Sequence, residues 1–188
     1  MTGSEQVAVL FAEQRRIVLA WLGGSMLFAT ALIATIGLGG FRVNVTPSEP
    51  MGLWRIRPLD GAIHIGDLVF ICPPATPVMR EARRRGYLRR GLCEGGVAPL
   101  IKTVAAVPGQ VIEVNGSVRI DGQPLPHSEV ALKDGQGRAT VPSSGGVVPA
   151  YAIYLHSEFP GSFDSRYFGP LPIDNVLGLA QEVWTYAP

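Results

Sequence analysis

Apolar positions along this chain follow two different patterns. From Ile17 to Phe41 no charged residue interrupts the run. At 1.5 Å of rise per residue, its roughly 25 residues reach across a hydrocarbon core of about 30 Å. A cleaved export signal has a shorter apolar stretch, about 7–15 residues, followed by a small-x-small cleavage site. No clean site of that kind follows here, so the pattern predicts a retained transmembrane helix over residues 17–41. Arg15 and Arg16 precede the run and Arg42 follows it. That balance favours a cytoplasmic N-terminal stub, residues 1–16, and places residues 44–188 on the far side of the membrane.

Beyond Asn44 the apolar residues come in short bursts separated by turn formers. Gly52–Ile56, Ile63–Ile71, Leu100–Val107, Val111–Val114, Val118–Ile120, Tyr151–Leu155 and Val176–Trp184 read as strands. Gly66-Asp67 bends the second of these, and Cys72-Pro73-Pro74 ends it, because proline cannot donate into a ladder. Asn115-Gly116 between two apolar runs is a strong hairpin signal, and Asp121-Gly122 makes a second turn. Residues 127–149 read as a long polar loop. The expected fold class is mainly β: an all-β domain of many short strands behind one N-terminal transmembrane helix.

Composition sharpens this picture. The 188 residues include 23 glycines and 16 prolines, which favours turns over long helices outside the N-terminal run. The net charge is +1, and no basic stripe is interleaved with aromatics, which gives no case for a nucleic-acid partner. One segment departs from the rest. Val78–Arg90 carries Arg80, Arg83, Arg84, Arg85, Arg89 and Arg90 against Glu81 alone. It reads as a short helix or loop within an insert, residues 73–97. Its basic residues suit either a solvated face or contact with anionic lipid or an acidic partner. Cys72 and Cys93 bracket it. In an exported domain they can pair, and the closed loop would stabilise by roughly 3 kcal/mol in the chain-entropy model. The alternative is two unpaired buried thiols. Two cysteines without a histidine at ligand spacing make no metal site.

Two residues carry candidate chemistry. Ser48 lies in Thr46-Pro47-Ser48-Glu49-Pro50-Met51-Gly52-Leu53, where the prolines stiffen the chain around a hydroxyl. Lys102 stands alone in the apolar strand Leu100–Val107. A serine hydroxyl needs a base to remove its proton. His64, His127 and His156 are the only histidines, and none sits in a recognisable triad context, although a triad is defined in space and not in sequence. A lysine serves as base only when neutral, and burial lowers its ordinary value of about 10.4. Each residue also has a bland explanation: a proline-rich linker for Ser48, and an edge lysine reaching water for Lys102. The Ser48 N–H with the Thr46 hydroxyl would make a workable oxyanion hole.

Three segments, in order, resemble the signal peptidase I family of Ser–Lys serine peptidases. They are Pro47-Ser48-Glu49-Pro50-Met51-Gly52-Leu53 after the apolar run, Ile101-Lys102-Thr103-Val104-Ala105-Ala106-Val107-Pro108-Gly109, and Ser162-Phe163-Asp164-Ser165-Arg166-Tyr167-Phe168-Gly169-Pro170. The compact Ser-x-Pro-x-Gly-Leu form and the cysteine-bounded Arg-rich insert are most similar to the conjugative-transfer (TraF-type) subgroup, which matures pilin precursors. The resemblance implies a signal-peptidase-like all-β catalytic domain with Ser48 as nucleophile and Lys102 as general base. It implies that Ser162 orients the lysine amine, that Thr46 contributes to the oxyanion hole, and that Asp164 and Arg166 form a supporting ion pair. It further implies no cofactor, a precursor protein as substrate (a pilin, or preproteins in general), and placement as a single-pass protein of the bacterial inner membrane with a periplasmic catalytic domain. Membrane lipid and a conjugation or export machinery would be its surroundings. An amine could replace water at the second step and give a cyclised product. An inactive scaffold of such a complex is the non-enzymatic alternative. Gln110 stands where the family usually has Asp, and His156–Gly161 lacks the Gly-Asp-Asn-Arg of typical members.

Overall fold

The computed structural model describes residues 3–186 and, within the N-terminal helix, the side chains of 13–31, 33, 34, 37 and 38. Residues 1 and 2 of the expected stub, and 187 and 188 of the expected exported domain, lie outside the described residues. The chain divides into two compact units, Met1–Phe41 and Arg42–Pro188.

The first unit is one helix, α1 (Gly3–Leu38). Ile17, Trp21, Leu22, Met26, Leu27 and Phe28 on it are all exposed. Among the described residues no helix is long and apolar enough to cross a membrane, so the span expected over 17–41 is not established by the structure.

The second unit is mainly β, as the turn-rich pattern predicts. Its elements are β1 (Phe41–Asn44), β2 (Met51–Arg57), β3 (Leu68–Ile71), α2 (Pro77–Arg85), β4 (Arg90–Cys93), β5 (Leu100–Ala106), β6 (Val111–Asn115), β7 (Ser117–Ile120), β8 (Gln123–Pro124), β9 (Gly146–Val147), β10 (Ala152–His156), α3 (Ser165–Phe168), β11 (Leu171–Pro172) and β12 (Val176–Tyr186). A seven-stranded sheet runs β1-β2-β12-β3-β5-β10-β11, and a four-stranded sheet runs β8-β7-β6-β9. The strand expected over Ile63–Ile71 is shorter, because Gly66 and Asp67 bond back to Val104 and His64 before the ladder begins. The Asn115-Gly116-Ser117 hairpin forms, with Asn115 opposite Ser117 and Gly116 at φ 72°.

Strand alternation sorts side chains to the two faces of the large sheet. Val69 and Ile71 of β3 join Val104, Ile153 and Leu155 in one cluster, while Phe70 joins Trp54 and Ile101 in another. Lys102 pairs with Val69 and, two residues from Val104, falls on the first of these faces. Each fully buried aliphatic side chain of this kind contributes about 1.5–3 kcal/mol.

The insert is more than a solvated face. Thr76 caps α2 through Met79 N at 3.3 Å, Pro77 opens the helix, and Gly86 closes it in the left-handed conformation. Met79 and Ala82 are buried in the main core with Leu88 and Cys93. Cys72 and Cys93 form a disulfide, with Cα atoms 5.5 Å apart. Most of the arginines bind within the protein. Arg84 and Arg85 pair with Glu81, Arg83 donates to Gly95 O, Arg80 to Ala75 O, and Arg85 also to Ala139 O.

Gly52 explains one position of the serine motif. It sits at φ 136° opposite Thr185 on the bulged strand β12, and a Cβ there would lie 2.3 Å from Trp184 O. Gly52→Ala forces β2 and β12 apart and is expected to cost about 1–3 kcal/mol. Urea unfolding of the two proteins measures it, with the loss appearing as a lower midpoint at unchanged slope.

Candidate active site

The serine turn follows β1 directly. Asn44, the last residue of that strand, organises it with one side chain. Its Nδ2 donates to Thr46 O at 3.0 Å, Glu49 O at 2.9 Å and Pro50 O at 3.1 Å. Its Oδ1 accepts from Thr46 N at 3.0 Å and Thr46 Oγ1 at 2.7 Å. Trp54 Nε1 adds a bond to Pro50 O at 2.9 Å, which ties the turn to a fully buried ring. Ser48 is half-buried at the apex. The Thr46 hydroxyl, expected as an oxyanion donor, directs its only proton to Asn44 Oδ1. It donates elsewhere only after rotating away.

Lys102 is 2% exposed. Burial pushes its amine down to about 8, against the upward pull of Asp164 and then Glu49, while Arg166 adds to the downward push. The edge lysine reaching for water is therefore not what the fold contains. Glu49, next to Ser48, is raised to about 7 by burial, opposed by the charge of Lys102 and by the nearby Ser157 hydroxyl. The serine turn and the lysine strand thus share one electrostatic environment.

The third segment closes the site. Asp164 and Arg166 are fully buried and bidentate: Arg166 Nε meets Oδ1 at 2.8 Å, and Nη2 meets Oδ2 at 2.7 Å. Arg166 also donates to Glu129 O at 2.9 Å and Ser162 O at 3.2 Å. Burial acts to raise the Asp164 carboxyl, but His156 and Arg166 beside it outweigh burial and hold it below the usual carboxylate range. The expected ion pair is therefore present. Ser162 is buried and its backbone is fixed by Phe159 and Arg166, but its Oγ makes no hydrogen bond among the described residues. The expected contact from Ser162 to the lysine amine is not formed. The short links from Phe159 O to Ser162 N and from Arg166 to Ser162 O set the backbone, and leave the hydroxyl orientation free.

Three residues of the site escape sequence reasoning. Ser157 is buried, and its Oγ donates to Ser48 O across 109 residues of chain. His156, 4% exposed, places Nδ1 3.7 Å from Asp164 Oδ2, beyond direct hydrogen-bonding distance. Asn44 lies four residues before the serine, where an Asx-type turn is the available signal. Gln110, the departure from the family's Asp, accepts from Val107 N at 3.0 Å and donates to Asp121 at 2.8 Å, which holds the turn after β5. A cavity of about 850 Å³ lies between α2 and the 160–170 segment. Ser162 and Phe163 line it, but Ser48 and Lys102 do not, so it is separate from the reacting atoms. The described residues contain no cluster of His, Cys, Asp and Glu able to hold a metal ion.

Comparison with known proteins finds relatives over most of the chain. The family described as signal peptidase, peptidase S26, matches residues 15–185. A probable conjugal transfer protein TraF of Sinorhizobium fredii is 62% identical over 160 residues, covering 85% of each chain. The conjugal transfer protein TraF of Agrobacterium tumefaciens is 56% identical over 175 residues, covering 93% of this chain and 99% of its own. A plasmid transfer protein TraF of Escherichia coli is 32% identical over 169 residues, covering 87% and 92%. Among solved structures, a signal peptidase I from Enterococcus faecalis aligns with a TM-score of 0.38 and 18% identity, covering 63% of this chain and 97% of its own.

Proposed function

We propose, for a chain that belongs to the signal peptidase family S26, that it is a membrane-anchored serine endopeptidase acting through Ser48 and Lys102. Its substrate would be an exported precursor, a conjugative pilin subunit. The observation that carries this reading is Lys102 itself: an amine 2% exposed in the apolar strand β5, pushed down to about 8 by burial and sharing its electrostatic surroundings with Glu49, the neighbour of Ser48. Ser48 Oγ attacks the scissile carbonyl carbon while its proton passes to Lys102 Nζ. The C–N bond breaks, the same proton goes to the departing amine, and an acyl-Ser48 ester remains. Water then loses a proton to Lys102 as its oxygen attacks the ester carbonyl carbon, the bond from that carbon to Ser48 Oγ breaks, Lys102 returns the proton to Ser48 Oγ, and the acid product leaves and ionises to the new carboxylate. The Ser48 N–H, with Thr46 turned from Asn44, would hold the oxyanion.

The Cys72–Cys93 disulfide supports an oxidising compartment for the catalytic unit. The charge-free stretch from Ile17 and its exposed apolar side chains support an anchor in the inner membrane with a cytoplasmic N-terminus. The relatives' names in conjugal transfer support the pilin as substrate over preproteins in general. Mass spectrometry of the pilin from cells with and without this protein tests the reading. A shortened or cyclised pilin that reverts to precursor in its absence is expected, and an unchanged pilin would refute it.

The base also sets the pH dependence. Only the neutral amine accepts the Ser48 proton, so the rate should rise with pH and level off above about 8. Ionised Glu49 pulls Lys102 upward. Glu49→Gln removes that pull, and its rate limb is expected at lower pH than that of the parent. Initial rates between pH 5 and 10 decide it, and a limb at the same or higher pH contradicts the coupling.

A further inference from the structure

The nucleophile turn is held from two directions by side chains that take no part in the proton transfer. Within the turn, Asn44 makes five hydrogen bonds that span residues 46, 49 and 50 and so enclose Ser48. From across the fold, Ser157 Oγ donates to the Ser48 carbonyl and accepts from Phe159 N at 3.4 Å. Ser157 directly follows β10, and its own N–H donates to Asp164 Oδ2 at 3.3 Å. Ser157 therefore joins the serine turn to the carboxylate that shares a field with Lys102.

We propose that Asn44 and Ser157 are positioning residues that together fix the Ser48 backbone against the lysine side of the site. The inference rests on the peptidase reading above and adds to it the device that aligns the two halves. A turn bounded by Pro47 and Pro50 is stiff but not anchored, because proline supplies no backbone donor. Bonds from one amide to the carbonyls of Thr46, Glu49 and Pro50, and one hydroxyl bond from a distant strand end, supply the anchor. A nucleophile displaced by about 1 Å loses roughly 100-fold in rate. A loss of alignment at the nucleophile, and not of substrate binding, falls on kcat.

The experiment compares initial rates on the pilin precursor for the parent, Ser48→Ala, Asn44→Ala, Ser157→Ala and Ser157→Thr, each in the full chain with the disulfide verified by mass. The expected result is a fall in kcat of roughly 100-fold for Asn44→Ala and Ser157→Ala. KM should stay within about threefold of the parent value. Ser157→Thr, which keeps the hydroxyl, should recover most of the rate, which a purely structural role for Ser157 would not require. Parent-like kcat in either alanine variant overturns the proposal. If Asn44→Ala does not fold, the Ser157 pair decides alone: equal rates for Ala and Thr overturn it. Cleavage by Ser48→Ala at the parent rate would instead overturn the peptidase reading, which keeps the two failures apart.

Discussion

Ser48→Ala and Lys102→Met are each expected to lower precursor cleavage by at least about a thousandfold, and to do so without loss of fold. Alanine removes the oxygen that forms the ester. Methionine keeps much of the length and apolar stem of lysine and removes the atom that takes the proton. The combined variant should be no slower than either single one, because nucleophile and base act as a unit. Cleavage of the precursor in time courses of all three proteins measures it. Full activity of Lys102→Met would sink the mechanism.

Stability should move the other way in the lysine variant. An amine held at about 8 instead of 10.5 carries a penalty of about 3 kcal/mol in its protonated form. The unfolded chain binds more protons than the folded one between about pH 8 and 10.5, so stability climbs with pH through that window and the penalty is present in full below it. Methionine removes the charge. Lys102→Met is therefore expected to unfold at a higher urea concentration than the parent at pH 7, with the difference vanishing above pH 10.5. An inactive protein that is more stable than its parent cannot owe its inactivity to unfolding.

Much of this arrangement was legible in the sequence, for a physical reason. Strands with period-two alternation and Asn-Gly turns announce themselves locally, and so do a lone lysine among Leu100, Ile101 and Val104 and a serine between two prolines. What local pattern cannot carry is contact across distance. Ser157 binds Ser48 over 109 residues, and His156 reads as an ordinary strand-end residue until the fold sets it beside Asp164. The insert misleads for a related reason. Its arginines dominate the composition, while Met79 and Ala82, which dock it in the core, are only two apolar positions on a short helix. The motifs single out the hydroxyls of Thr46 and Ser162, but hydroxyl direction depends on neighbours: Asn44 captures one, and the other has no hydrogen-bond partner among the described residues.

Arg166→Met is expected to destabilise the protein by about 3–5 kcal/mol, the largest single loss among the site residues. The reason is what it leaves behind. Arg166 is fully buried, neutralises a fully buried carboxylate through two bonds, and donates to the carbonyls of Glu129 and Ser162. Methionine fills much of the volume but supplies none of these donors, so Asp164 must either stay charged without its partner or take up a proton. The carboxyl, now held below its usual range by His156 and Arg166, should rise, so the acid-range loss of stability that a depressed carboxyl gives the parent should shrink or reverse in the variant, because protonation relieves the stranded charge. Asp164→Asn in the Arg166→Met background removes the stranded charge and should restore part of the loss. Urea unfolding of the two single variants and the double closes the cycle. Losses that simply add would mean that the pair is not coupled, whereas a double variant more stable than Arg166→Met alone establishes that the ion pair, and not the arginine's volume, buttresses the segment carrying Ser157 and Ser162.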